Sequence, residues 1–161
     1  MSEQMSKAQK LTYIIKDRKF RVPLYQRNYK WNITTAVKLI EDLIESYNKH
    51  TIKSIGLITL YKDKENLNIN EFEVIDGKQR LITLAILFSL LGRNNPNPID
   101  LCFERDNNHV RKNALNNPDN KWKNDFADYV LENCIMLCAI TENPPIEEFM
   151  NLNAYKTAFS V

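Results

Sequence analysis

One stretch of the sequence predicts the fold around it: Phe72-Glu73-Val74-Ile75-Asp76-Gly77-Lys78-Gln79-Arg80-Leu81-Ile82-Thr83. Phe72, Val74 and Ile75 have the apolar character of a buried strand. From Leu81 to Leu91 nearly every residue is apolar, which predicts a helix that is covered on most sides. Asp76-Gly77 interrupts the apolar pattern between the predicted strand and the predicted helix. The stretch therefore predicts a strand, one tight polar turn and a buried helix.

The polar residues of this stretch fall where the strand passes into the helix: Asp76, Lys78, Gln79, Arg80 and Thr83. A helix N-terminus offers unpaired N–H groups and a partial positive charge, so it suits a phosphate or another anion. The alternative is structural: Asp76 caps the helix, Gly77 supplies an unusual backbone angle, and Arg80 pairs with a carboxylate. For a strand–turn–helix taken alone, the structural interpretation is the more common one.

A second segment, residues 16–31, is basic and aromatic. It holds six basic residues and one acidic residue, interleaved with Phe20, Tyr25, Tyr29 and Trp31. Basic and aromatic side chains together suit phosphates and stacked bases. The alternative is that the rings anchor a core while the basic groups are solvated.

Length and composition indicate one globular domain. The chain has 161 residues and a formal net charge of +2, which by itself does not indicate nucleic acid. The longest uncharged apolar run, residues 81–92, is too short for a bilayer, and the N-terminus lacks the apolar part of a signal peptide. We therefore expect a cytoplasmic protein with no membrane association. Its three cysteines are expected to be reduced, with Cys134 and Cys138 as buried apolar residues.

Only three glycines occur in the chain, at positions 56, 77 and 92. A P-loop and a dinucleotide-binding fold both need closely spaced glycines, and neither pattern can be written here. A bound nucleotide would need another kind of site.

Outside the turn, the patterns predict further elements. We expect a helix over residues 3–15, a helix capped by Asn32 or Thr34 and reaching about His50, and strands over 54–61 and Cys134–Thr141. The strand over 54–61 is apolar on both faces, so we expect it to be central in the sheet. Gly56 within it predicts close approach of another backbone or a ligand.

Two segments together resemble a known family. Val22–Trp31 is similar to the pattern [I/V]-P-x-[Y/F]-Q-R-x-Y-x-W, and Val74–Thr83 to [I/V]-[I/V]-D-G-Q-Q-R-L-x-T. The chain thus resembles the N-terminal domain of GmrS/GmrD-type restriction proteins, a ParB/sulfiredoxin-like domain, most strongly over residues 20–92. A weaker likeness covers residues 149–153, where the family's following glycine is replaced by Ala154.

The resemblance implies an α/β (α+β) domain with a small mixed sheet and flanking helices, which handles nucleoside triphosphates in a defence system against foreign, often modified, DNA. Carried over to this chain, it implies catalytic roles for Asp76, Gln79 and Arg80, with Asp76 a candidate Mg²⁺ ligand. The remaining implied contacts to the nucleotide or its phosphates are Tyr25, Gln26, Arg27, Gly77, Lys78 and Thr83. Lys78 departs from the family, which most often has Gln there; the cation either helps to bind phosphate or points to solvent.

Proteins that resemble this one usually carry nuclease activity in a C-terminal His-based metal domain. This chain has only His50 and His109, in unrelated contexts. We therefore expect residues 1–161 to be a single ParB-like domain, truncated at its C-terminus, that does not cut DNA alone. Its expected partners are a nucleoside triphosphate, DNA, and the missing nuclease domain or a partner subunit.

Two other functions stay open on the sequence. One is a non-enzymatic DNA-binding or protein-interaction module on a ParB-like scaffold, with the basic and aromatic loop contacting the DNA backbone. The other is a direct ParB-like nuclease that uses Asp76 and a metal. Cleavage in Mg²⁺ without nucleotide would favour the latter.

Overall fold

The computed structural model describes residues 5–22, 32–93, 96–103, 108–109 and 121–143. Within these ranges the chain forms, in order, β1 (Met5–Lys10), α1 (Leu11–Ile15), β2 (Lys19–Val22), α2 (Ile33–Asn48), β3 (Lys53–Tyr61), β4 (Glu71–Asp76), α3 (Lys78–Leu90), β5 (Asp100–Phe103), β6 (Asn108–His109), α4 (Lys121–Asn133) and β7 (Cys134–Thr141).

The strands form one mixed sheet in the order β1-β7-β3-β4-β2-β5-β6. Strands β2, β4 and β5 run in one direction, while β3 is antiparallel to β4 and parallel to β7. The two outermost strands, β1 and β6, are each antiparallel to their neighbour. The predicted α/β (α+β) class with a mixed sheet and flanking helices is confirmed, and the central place of β3 with it.

The predicted helix over residues 3–15 is wrong for its first part. Met5–Lys10 is an edge strand, paired with β7 from Met5 opposite Ile140 to Lys10 opposite Ile135. The residues at helical spacing, Leu11, Ile14 and Ile15, are buried in the short α1. Backbone pairing with β7 decides the conformation of residues 5–10, which have no apolar helical pattern of their own.

The core lies where the helices cover the sheet. Eight residues of α3 are buried, which confirms the helix that is covered on most sides. The largest fully buried side chains come from strands and helices alike: Phe20, Phe88, Leu11, Ile14, Leu43, Ile58, Leu60, Leu81, Leu84, Ile99, Leu101 and Met136. Burying such residues supplies most of the driving force for folding.

One ion-pair group lies on the other face of the sheet. Phe20 and Val22 of β2 are buried, so Arg21 points to the opposite side. There its guanidinium pairs with Glu73 and Glu71 of the adjacent strand β4. These contacts join β2 to β4, the two strands that lead to the predicted site.

Helix α2 begins as predicted. The side chain of Asn32 accepts a hydrogen bond from the Thr35 N–H at 2.8 Å and so caps the helix. At the other end, the Tyr47 ring packs edge-on against Phe126 and Tyr129 of α4, each with a centroid separation of 5.4 Å. The α2–α4 contact fixes these two helices relative to each other.

Cys134 and Cys138 are buried in β7, as predicted. Burial raises the pKa of the Cys134 thiol from 9.0 to about 12 and raises the pKa of Cys138 as well. Both thiols therefore behave as small apolar groups at neutral pH. Among the described helices, none has the length and apolar content that crossing a bilayer requires.

Candidate functional site

The site begins at the end of β4. Asp76 is the last residue of this strand and is exposed, and its Oδ1 accepts a hydrogen bond from the Gly77 N–H at 2.9 Å. Gly77 occupies the N-cap position of α3 in the left-handed conformation, with φ 94° and ψ 8°. The alternative in which Asp76 caps the helix is therefore wrong, because the N-cap residue is Gly77. Gly77 itself contributes no capping side chain to the helix.

The turn is pressed against β3. A β-carbon at position 77 would lie 3.2 Å from the Leu57 carbonyl oxygen and 3.3 Å from the α-carbon of Ile58. Both the left-handed angle and this close approach require glycine. These contacts thus fix the distance between the start of α3 and the backbone of β3.

Two irregularities in the sheet flank the turn. Ser54 and Leu57 of β3 pair with Ile135 and Leu137 of β7, so β3 has one extra residue there. Thr59 and Leu60 pair with Asp76 and Val74, so β4 has one extra residue, Ile75. Bulges of this kind are frequent beside functional sites, where they change the direction of a strand or a side chain.

Arg80, in the first turn of α3, reaches back to the bulge in β3. Its Nη1 donates a hydrogen bond to the Leu57 carbonyl at 3.0 Å. A β-carbon at Gly56 would lie 2.8 Å from the Arg80 Cζ. The sequence predicted close approach of another backbone or a ligand at Gly56, and the group that lies closest to it in the structure is the Arg80 side chain. Gly56 is the site residue that the sequence did not assign.

The other residues of the turn have defined environments. Lys78 is only 7% exposed, so the alternative in which it points to solvent is wrong. Thr83 is buried, and its hydroxyl donates to the carbonyl of Gln79 at 2.8 Å within α3. Gln79 itself is half-buried. The roles of Lys78, Gln79 and Thr83 toward phosphate stay predictions.

Residues 23–31 of the second predicted segment lie outside the described residues. They include Tyr25, Gln26 and Arg27, so the contacts of these three residues to the nucleotide or its phosphates stay predictions. The described strands show where β2 ends. Strand β2 ends at Val22 and runs parallel to β4, with Arg21 opposite Glu73. Because parallel neighbours end at the same edge of a sheet, β2 ends at the edge where β4 passes into the turn.

The turn offers one carboxylate for a metal ion. Within the described ranges, no group of three or more His, Cys, Asp or Glu side chains could hold a metal. Mg²⁺, however, is usually bound by one or two carboxylates together with substrate phosphates and water. The exposed Asp76, at the end of β4, fits that second arrangement, and its role as a Mg²⁺ ligand stays a prediction.

A hollow of about 400 Å³ lies at the opposite edge of the sheet, before β2, β4 and β5. Its polar lining includes Asp17, Arg18, Lys19 and Asp100. Of the described residues that were predicted for the nucleotide site, none lines it. The turn and this hollow are therefore separate features of the molecule.

Comparison with known proteins gives one family. Residues 11–158 match the model for the family described as GmrSD restriction endonuclease, N-terminal domain. Among curated proteins, no significant match to the chain was found. The matched range includes both segments that carry the resemblance seen in the sequence.

Proposed function

Because the chain belongs to the family of GmrSD restriction endonuclease N-terminal domains, we propose that it binds a nucleoside triphosphate at the turn between β4 and α3. Binding, with or without hydrolysis, would regulate DNA restriction in phage defence. The expected partners are foreign DNA, modified or not, and a nuclease domain or subunit that cuts it.

One observation carries the proposal: the Arg80 guanidinium and the glycine-capped start of α3 are held against the same three residues of β3, Gly56–Ile58. A helix N-terminus favours an anion through its N–H groups and its dipole. A guanidinium can donate two parallel hydrogen bonds to phosphate oxygens. The two features together suit a polyphosphate better than either does alone.

Each residue of the turn has a proposed role. Arg80 binds phosphate, and the N–H groups that follow Gly77 complete the contact. Gln79 binds a base, a ribose or the attacking water. Lys78 adds positive charge, and Thr83 supports the first turn through its bond to the Gln79 carbonyl. Phosphoryl transfer needs mainly positioning and charge neutralisation, which residues of these types supply.

Mg²⁺ would be held by Asp76 together with phosphate oxygens. When bound, the ion would neutralise charge on the phosphates. The bond from the Gly77 N–H to the Asp76 Oδ1 holds that carboxylate at the turn.

The segment after β2 would supply the other side of the site. Arg27 would bring a second guanidinium, and Tyr25 and Gln26 would contact the nucleotide. In support of this proposal, β2 ends at the same edge of the sheet as β4, and the pairs between Arg21 and the glutamates of β4 hold the two strands in register.

The test is an equilibrium titration of ATP, GTP, CTP and UTP, with Mg²⁺, against the wild type and Arg80→Ala. We expect the wild type to bind at least one of the four, and Arg80→Ala to bind it about tenfold or more weakly, since a hydrogen bond to a charged group is lost. Arg93→Ala is the matched control. Arg93 follows the other end of α3 and pairs with Asp128 at 2.7 Å, so nucleotide affinity should not change.

Equal binding by the wild type and Arg80→Ala would exclude Arg80 as a phosphate ligand. If the wild type binds no nucleotide but binds DNA with an affinity that falls steeply with salt, the chain is a DNA-binding module instead.

A further inference from the structure

We propose that Gly56 is a positioning residue of the nucleotide site: by having no side chain, it sets the place and orientation of the Arg80 guanidinium. The inference rests on the proposed function, because it concerns how Arg80 would meet a phosphate. It assigns a role to a residue that lies 24 positions before Arg80 in the chain and on a different element.

The contact is close and specific. A β-carbon at Gly56 would lie 2.8 Å from Cζ, 2.9 Å from Nη1 and 3.0 Å from Nη2 of Arg80. All three atoms belong to the guanidinium, so the whole head group, and not the flexible aliphatic part, occupies the space above Gly56. Any L-residue at position 56 would force this head group to move.

The backbone conformation at Gly56 also favours this contact. Its φ of +103° is one that L-residues rarely adopt, and it lies in the bulge of β3. The bulge brings the next carbonyl, that of Leu57, within 3.0 Å of Nη1. The guanidinium thus packs against the backbone of Gly56. Its hydrogen bond to the Leu57 carbonyl fixes the orientation of its plane.

A fixed guanidinium matters for a bidentate ligand. The group has five N–H donors in a rigid fork, and the Leu57 carbonyl takes one of them. A bound phosphate would accept hydrogen bonds from two other N–H donors and would replace the groups that these donors contact before it binds. Preorganisation of the fork lowers the cost of ordering it on binding, so a displaced guanidinium would bind phosphate less well even though its charge is unchanged.

The experiment is a double-mutant cycle on nucleotide affinity, using the wild type, Gly56→Ala, Arg80→Ala and the double variant. We expect Gly56→Ala to weaken binding of the preferred nucleoside triphosphate about tenfold, which is the scale of one hydrogen bond to a charged group. In the Arg80→Ala background the same change should alter affinity by less than about twofold, because the group that Gly56 positions is gone.

Two controls separate positioning from general strain. Gly92→Ala also places alanine at a positive φ, 82°, but just after the far end of α3; it should leave nucleotide affinity unchanged. Gly56→Asn is the second variant should Gly56→Ala fail to fold, since Asn adopts positive φ more readily while its β-carbon still displaces Arg80. The free energies of unfolding of the four proteins in the double-mutant cycle, measured without nucleotide, report whether Gly56 and Arg80 are in contact.

The outcomes are distinct. Wild-type affinity in Gly56→Ala, an equal loss in both backgrounds, or an equal loss in Gly92→Ala would each overturn the positioning role while leaving the nucleotide site intact. Absence of nucleotide binding by the wild type would overturn the proposed function, and this role with it; the coupling in unfolding free energy would then still show that the two residues touch.

Discussion

Gly77 passes so close to Ile58 that a β-carbon at position 77 would lie 3.3 Å from both the α-carbon and the Cγ1 of Ile58. The contact joins the turn to the middle of the sheet, because Ile58 is fully buried in β3. The start of α3 therefore cannot shift without disturbing the core. A phosphate site built on this turn would be rigid before any ligand arrives, and rigidity of this kind favours tight binding.

The stability of the domain should depend on Gly77. Gly77→Ala should lower the free energy of unfolding by about 2 kcal/mol or more, because a left-handed alanine costs roughly 1–2 kcal/mol and its β-carbon meets β3. Urea unfolding followed by circular dichroism measures the change. Gly77→Asn is the comparison, since Asn pays less for the left-handed angle but brings the same β-carbon. A loss below about 0.5 kcal/mol for Gly77→Ala would contradict the described geometry.

The ion pairs of Arg21 should contribute to stability as well. Arg21→Met should cost about 1–3 kcal/mol, because it leaves Glu71 and Glu73 side by side and partly buried. Lys10→Met is the matched control, since Lys10 pairs with Glu132 at 3.8 Å with both side chains about half exposed. It should cost less than about 0.5 kcal/mol. Equal costs for the two variants in urea unfolding would mean that the Arg21 pairs are no better than a surface pair.

Stability should fall at alkaline pH through Cys134. The unfolded thiol loses its proton near pH 9, whereas burial keeps the folded thiol protonated to about 12. A folded pKa above the unfolded pKa means that the stabilisation is complete below pH 9 and is lost as the pH rises toward 12. The wild type should therefore lose up to about 1.4 kcal/mol per pH unit in this window through this thiol.

Cys134→Ala isolates that effect, because it removes the thiol and leaves the other titrating groups in place. Urea unfolding at pH 8, 9.5 and 10.5 should show the wild type losing more stability than the variant with each step. Parallel losses in the two proteins would show that Cys134 does not titrate differently in the folded and unfolded states.

The order of elements around the turn was predictable, because local patterns encode it. The switch from an apolar strand to an apolar helix across Asp76-Gly77 appears in the sequence, and the structure has β4, Gly77 and α3 there. Strand β7 also matches its predicted bounds, Cys134–Thr141. These elements carry continuous apolar runs that need no tertiary information to recognise.

Features that depend on distant contacts were not predictable in the same way. The strand Met5–Lys10 exists because β7 pairs with it, from more than a hundred positions further along the chain. The Arg80–Gly56 contact depends on a bulge in β3 and on the height at which Gly77 holds α3. Gly56 did signal a close approach, but the identity of the approaching group required the three-dimensional arrangement. Lys78 is buried although Asp76, two residues earlier, is exposed, and this difference likewise depends on residues that are distant in the sequence.

The most direct measurement of the central claim is the backbone amide NMR spectrum of the isotope-labelled 18.9 kDa chain during titration with a Mg²⁺–nucleoside triphosphate. We predict that the largest shifts fall on the amides of residues 77–80, because these N–H groups would meet the phosphates. Thr34 and Thr35, at the Asn32-capped start of α2, serve as an internal control for general electrostatic effects, and Mg²⁺ alone serves as the second control. Saturable shifts at residues 77–80 would support a phosphate site at the turn; unchanged amides there at millimolar nucleotide, or shifts confined to another part of the sheet, would contradict it.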